Sequence, residues 1–253
     1  MDTFSPGYGL LLLVTGLVAG VINTLAGGGS NLTVPALMVL GMPPEVANAT
    51  NRVGVFMQSV VGVAGFRRFK RLDTGDIGPV LMPTLIGGSV GASAAAFSPA
   101  WILKPLLLGA MVTMALIILI KPATIAPPEG TPVYKVAERP SAWWVLFVAG
   151  FYGGFVQAGV GFILIAALAG SLRYDLVGTN ALKMVCTLAF TGLALGIFIW
   201  QGLVLWLPGL TLAAGTMVGA HLAVRMAITV KQSTLKWFLF LMTLCAATAA
   251  IVF

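Results

Sequence analysis

The sequence predicts an all-α polytopic membrane protein built from two inverted-topology repeats, with a broken helix or helical hairpin in each. Three observations carry that expectation: an apolar composition with few charges, a train of span-length apolar segments, and motifs in the first half that recur in order in the second.

Of the 253 residues, 59% are hydrophobic and 8% are charged, and the mean hydropathy is +1.03. Soluble domains carry about 25% charged residues, so a water-soluble fold could not bury this much apolar surface. The 31 glycines and 14 prolines suit packed or broken helices in lipid. The net charge of +7 does not mark a nucleic-acid binder, because most basic residues lie in short loops beside apolar runs. Cys186 and Cys245 both sit inside apolar runs and read as free thiols. The N-terminus lacks a basic n-region, which argues against a cleaved signal peptide.

The apolar segments follow in order. The first half gives 8–25, 31–40, 47–66, 77–97 and 101–120. The second gives 142–156, 160–171, 178–200, 203–224 and 235–252. The second segment of each half is too short to span a bilayer, since a span takes about 20 residues. That leaves about eight spans. The domain reading is 1–120 as first repeat, 121–141 as a polar, proline-containing cytoplasmic linker, and 142–253 as second repeat.

The halves correspond motif by motif. Ala19-Gly20 matches Ala149-Gly150, and Ala26-Gly27-Gly28-Gly29-Ser30 falls opposite Gln157-Ala158-Gly159-Val160-Gly161. Ala49-Thr50-Asn51 matches Gly178-Thr179-Asn180, and Gly87-x-x-x-Gly91-Ala92 matches Gly215-x-x-x-Gly219-Ala220. Charge then orients them. Arg67, Arg68, Lys70 and Arg71 follow the third segment, whereas the equivalent loop after Trp200 is uncharged. One segment later the pattern reverses, with Arg225 and Lys231 opposite a nearly neutral loop. By the positive-inside rule the repeats are inverted and both termini face outward, into the periplasm if the bilayer is a bacterial inner membrane.

Inverted repeats bring broken helices together at midplane to form a substrate site. Gly16, Gly20, Asn23 and Gly27 recur at helical spacing, as do Gly150, Gly153 or Gly154, Gln157 and Gly161, and each stripe of small residues carries one side-chain amide. Glycine costs about 1 kcal/mol relative to alanine in a helix. The triplet Gly27-Gly28-Gly29 is therefore expected to unwind and free backbone N–H groups, with a new helix starting at Ser30 or Asn31 and pointing its positive end at an anion. Thr50, Asn51, Arg52, Gln58 and Ser59 lie on one third segment, and Asn180, Lys183, Thr187 and Thr191 on the other. The candidate binding residues are Asn23, Gly27, Gly28, Gly29, Ser30, Asn51, Arg52 and Gln58, with Gln157, Gly159, Gly161, Asn180, Lys183 and Thr187. No Asp or Glu lies deep in either third segment, so a bound anion is the expected partner of Arg52 and Lys183; the open alternative is that both snorkel to headgroups. Glycines also serve as plain packing surfaces. Glu45 and Asp175 read as helix N-terminal charges, His221 as a packed, hydrogen-bonded residue, and Trp101, Trp143, Trp144, Trp200 and Trp206 as interface anchors.

The stretch from Ala19 to Asn51 resembles the sulfite exporter TauE/SafE family of membrane permeases, through its glycine triplet, Val34-Pro35-Ala36-Leu37, Leu40-Gly41-x-Pro and Ala49-Thr50-Asn51. The second half is similar in weaker form, at Gly159, Gly161 and Gly178-Thr179-Asn180. Gln157-Ala158 stands where a glycine-rich break is expected. The resemblance implies transport of sulfite, organosulfonates or related small organic anions.

The expected function is thus secondary transport of a small anion by alternating access, with a passive anion channel as the alternative. Without a cluster of His, Cys or carboxylates, an enzyme is not expected, nor is any cofactor or metal. The bilayer and the anion are the expected partners, and a homodimer is compatible with the sequence. Arg52→Ala or Lys183→Ala is expected to abolish flux while the protein still folds and inserts.

Overall fold

The computed structural model describes residues 6–99 and 130–230, together with 101, 102, 105, 106, 109 and 127. Most of segment 101–120, all of segment 235–252, and Cys245 lie outside the described residues. The helices are α1 Pro6–Leu25, α2 Ser30–Val39, α3 Pro44–Arg68, α4 Ile77–Phe97, α5 Pro140–Phe155, α6 Val160–Ile165, α7 Leu176–Trp200 and α8 Trp206–Thr229. A 3₁₀ turn, Val136–Glu138, precedes α5, and α6 runs on into a π-helical turn, Ala166–Ser171. No strand occurs among the described residues.

Four of these helices, α1, α4, α7 and α8, are long and apolar enough to cross a membrane. Helix α3 has the length, at 25 residues, but is more polar. The short α2 and α6 are the segments expected to be too short. Helix ends follow local chemistry. Proline opens α3 and α5, where a missing N–H goes unneeded. Asp175 caps α7, its carboxylate accepting from the Gly178 N–H at 2.6 Å, and Glu45 sits in the first turn of α3.

Helix α1 runs along α8, and α4 along α5, while α3 packs on α8 and α7, and α4 also on α7. Both parallel pairs meet at small residues. A Cβ added at Gly16, Gly20, Gly215 or Gly219, or at Gly87, Gly91, Gly150 or Gly154, would come within 2.6 Å of a backbone oxygen of the neighbouring helix. The backbones touch there, as in other small-residue membrane packings.

The two ends of the bundle differ in charge. One end gathers the α3–α4 loop, the described linker and the α6–α7 turn: Tyr134 N–H donates to Leu172 O, and the Tyr174 hydroxyl donates to the Asp76 carboxylate. Burial and then Asp76 push the Tyr174 phenol pKa up, so it stays protonated and donating. This basic end carries Arg67, Arg68, Lys70, Arg71, Lys135, Arg139, Arg173 and Arg225 against Asp73, Asp76, Glu138 and Asp175. At the far end Leu40 and Met42 pack near Phe198 and Leu203, Phe97 meets Trp200 edge to face, and Glu45 is the charged residue described there. Trp144, Trp200 and Trp206 are more than half exposed at helix ends. His221 lies on the exposed side of α8, so the packed role expected of it does not hold.

Candidate functional site

Both helix breaks exist, and they touch. After α1 the chain turns at Gly27, with φ +94°. After α5 it turns at Gln157 and Gly159, with φ +68° and +79°. The second break therefore forms without a glycine triplet; one glycine, a strained glutamine and the Tyr152 hydroxyl, which donates to Ala158 O at 2.7 Å, hold it. Gly161 N–H donates to Gly27 O at 3.3 Å, and a Cβ on either glycine would fall 2.1 Å from the other's Cα. Gly28 lies under the Phe162 ring, and Gly29 against Ala19 O and Asn23 Cβ, which closes the hairpin between α1 and α2.

Two sequence readings change here. Gln157 does not continue the α5 stripe, because the helix ends at Phe155 and Gln157 adopts a left-handed conformation. Nor do the breaks simply free their amides. Gly27 N–H bonds Ile22 O, Ala158 N–H bonds Val156 O, Val160 N–H bonds Gln157 O, and Asn31, Leu32 and Thr33 bond back to Gly28 and Gly29. The unwound backbone satisfies itself only in part, and the N–H groups of Gly28, Gly29 and Ser30 make no hydrogen bond within the protein, as the glycine triplet leads one to expect.

The cations enter from α3 and α7. Arg52 is 0% exposed and Lys183 is 1% exposed, which removes the snorkelling alternative. Arg52 Nη1 donates to Gly153 O and Gln157 Oε1, both at 2.8 Å, and Nη2 donates to Gly154 O at 2.6 Å and Phe155 O at 3.5 Å. Its guanidinium also lies 5.2 Å from the Phe198 ring centroid. Lys183 Nζ donates to Thr24 O at 2.9 Å and Asn180 Oδ1 at 2.7 Å. Each cation thus caps the C-terminus of a broken helix in the other half of the chain. Among the described residues, the buried polar ones include no Asp or Glu. A helix C-terminus carries roughly half a negative charge, so each capped end keeps roughly half a unit of positive charge. Removing Arg52 would strand the buried carbonyls of Gly153 and Gly154, so Arg52 also carries part of the fold.

Around the cations, Asn51 Nδ2 donates to Ser30 Oγ at 3.2 Å and Asn51 Oδ1 accepts from Thr33 Oγ1 at 2.6 Å. Gln157 Oε1 also accepts from Thr191 Oγ1 at 3.2 Å. Among the described residues, five buried side-chain donors have no hydrogen-bond partner in the protein: Thr24 Oγ1, Arg52 Nε, Asn31 Nδ2, Gln58 Nε2 and Asn180 Nδ2. Of the predicted residues, the structure links Gly27 with Gly161, Ser30 with Asn51, Arg52 with Gln157, and Lys183 with Asn180. Asn23 only packs on Gly29, and Gln58 and Thr187 are buried without a direct link to the cations. Sequence reasoning misses Asn31, Thr33 and Asn48, whose Nδ2 donates to Phe155 O at 3.2 Å, and the capping carbonyls. Asn31 and Asn48 have a sequence signal, as amides adjoining motifs; a carbonyl has none. No group of three or more metal-ligating side chains occurs among the described residues.

The family model for the sulfite exporter TauE/SafE matches residues 12–250. A probable membrane transporter protein of Haemophilus influenzae is 28% identical over 89% of this chain and 88% of its own length. A probable membrane transporter protein, ORF9, of Sinorhizobium is 26% identical, over 93% of this chain and 89% of its own. The probable membrane transporter protein YfcA of Escherichia coli K12 is 27% identical over the same shares, 93% and 89%.

Proposed function

The chain belongs to the sulfite exporter TauE/SafE family, and from that premise we propose that this multi-pass membrane protein is a secondary transporter of small anions. The substrate class is sulfite or an organosulfonate. One observation carries the anion reading: two buried cations rest on neutral carbonyls with no buried carboxylate among the described residues, and Arg52 Nε and the Nδ2 of Asn180, whose Oδ1 holds Lys183, are unpaired donors. Buried polar groups are normally hydrogen-bonded, and an oxyanion that accepts from these donors would also balance the residual positive charge. A cationic substrate would do neither, and a neutral one would leave the charge unbalanced.

The repeats are inverted and rock about the contact between Gly27 and Gly161, exposing the site to each side in turn. The pairing of α1 with α8 and of α4 with α5 supports that exchange of partners between halves. The basic end faces the cytoplasm. The decisive experiment has two arms. Purified protein is screened for thermal stabilisation by sulfite, sulfate, organosulfonates and carboxylates, and reconstituted vesicles are assayed for uptake against opposing gradients. Stabilisation by sulfite or sulfonates with accumulation against a gradient is the expected result. Stabilisation without accumulation assigns a passive channel, and no response to any anion removes the proposal.

A further inference from the structure

Toward the basic end a groove of about 610 Å³ opens on the outside of the bundle between α3 and α7, the helices that carry Arg52 and Lys183. Val60, Val63 and Ala64 of α3 form one wall, Leu188 of α7 forms the other, and Arg67 and Arg68 stand at its end. The spacing 60, 63, 64 and 67 puts these residues on one face of α3, and from Val60 to Arg67 is about 10 Å along the helix axis. Val60 is 40% exposed, so this face looks outward. One turn deeper the two helices close, since a Cβ on Gly192 would lie 3.1 Å from the Phe56 ring.

Both arginines are exposed, and among the described residues neither guanidinium has a hydrogen bond or an ion pair. The acids of the α3–α4 loop are engaged elsewhere: Asp73 Oδ1 accepts from Gly75 N–H at 2.9 Å, and Asp76 accepts from the Tyr174 hydroxyl. The C-terminus of α3 offers roughly half a negative charge, against two full positive ones. The groove is thus apolar along its length and cationic at one end. A free anion would leave its walls uncovered, and a zwitterionic lipid would bring the arginines no net charge. An anionic phospholipid matches both parts, and basic pockets between membrane helices bind such headgroups.

We propose that an anionic phospholipid docks here, its phosphate on Arg67 and Arg68 and an acyl chain between α3 and α7. Because α3 comes from the first half of the chain and α7 from the second, the lipid bridges the halves on their outer side. Its binding therefore stabilises their association, and it does so whatever the protein transports.

The test titrates purified protein in a neutral detergent with phosphatidylglycerol or phosphatidylcholine of identical chains. It reads the lipid mole fraction for half-maximal thermal stabilisation. Wild type is compared with Arg67→Gln/Arg68→Gln and with Lys70→Gln/Arg71→Gln, a pair that removes the same charge beside it but lines a different cavity. A third variant, Ala64→Trp, fills the groove from an exposed position. Wild type should prefer phosphatidylglycerol at least about fivefold, the worth of one basic side chain at an anionic surface. Arg67→Gln/Arg68→Gln should abolish that preference and Lys70→Gln/Arg71→Gln should keep it, while Ala64→Trp should raise the phosphatidylglycerol midpoint at least about threefold. No preference in wild type, or an equal loss in both charge pairs, overturns the proposal in favour of general attraction to the basic end. An unchanged midpoint in Ala64→Trp overturns it too, because the chain would then lie elsewhere.

Discussion

At the scale of single residues the site trades stability for unmet hydrogen-bonding capacity. Gln58 is 1% exposed and neither of its amide atoms has a partner in the protein. Leucine has nearly the same reach and no polar atoms, so Gln58→Leu removes a buried penalty of about 1–3 kcal/mol. We expect its thermal midpoint to equal or exceed that of wild type while anion flux falls at least about tenfold. Unchanged flux would show that Gln58 does not meet the substrate. Arg52 behaves differently, because its nitrogens hold the carbonyls of Gly153 and Gly154. Lysine cannot reproduce that fork, so Arg52→Lys should lower both stability and flux. The glycines separate strain from space. Gly41 has φ +87° with nothing within 4 Å of a Cβ, so Gly41→Ala should cost about 1 kcal/mol. Gly27 has φ +94° and a Cβ there would meet Gly161 Cα at 2.1 Å, so Gly27→Ala adds overpacking of about 1–3 kcal/mol. Thermal melting of the two variants in one detergent checks the order; equal losses would mean the two breaks do not touch.

At the scale of elements, a side-chain clasp joins the halves at the basic end, the Tyr174 hydroxyl donating to the Asp76 carboxylate. A hydrogen bond to a charged group contributes about 1.5–3 kcal/mol. A double-mutant cycle of Tyr174→Phe with Asp76→Asn should therefore return a coupling of about 1–2 kcal/mol in thermal stability. Additive losses would mean the clasp is not formed in the membrane protein. Elements of this kind mark where the sequence stops being readable. Apolar runs and their punctuation place α1 through α4 and α5 through α8 to within a few residues, because lipid forces each span to satisfy its own backbone. The first break is legible for the same reason, since three glycines cannot hold a helix cheaply. The second is legible in its place, residues 157–161, but not in how it forms, because Gln157 sits in a left-handed conformation with its side chain held by tertiary bonds from Arg52 and Thr191 that leave no local trace. The partners of Arg52 and Lys183 are hidden for a related reason. The sequence displays side chains, and the absence of a carboxylate suggests an anion, whereas the first partners are main-chain carbonyls at helix ends.

At the scale of the molecule, the distribution of charge predicts one orientation, and that orientation can be measured. The described cations outside the core gather at the end holding the α3–α4 loop, the linker and the α6–α7 turn, and cytoplasmic loops are the ones enriched in Lys and Arg. Turning the bundle over would carry Arg67, Arg68, Lys70 and Arg71 across the bilayer together, which the insertion machinery disfavours. Rocking about Gly27 and Gly161 also requires that the two ends open in turn, so a thiol near the α3 start and one near the α7 start should respond oppositely to substrate. Single cysteines at Gln201 and Lys70 fix the first point. An impermeant maleimide added to intact cells should label position 201 and spare position 70, and the reverse pattern would invert the orientation. Cysteines at Val46 and Val177 test the second, near the far-end start of α3 and the basic-end start of α7. Saturating sulfonate should raise labelling at one and lower it at the other, since a two-state rocking motion cannot open both ends together. A parallel change at both positions would leave a channel as the mechanism and end the alternating-access reading.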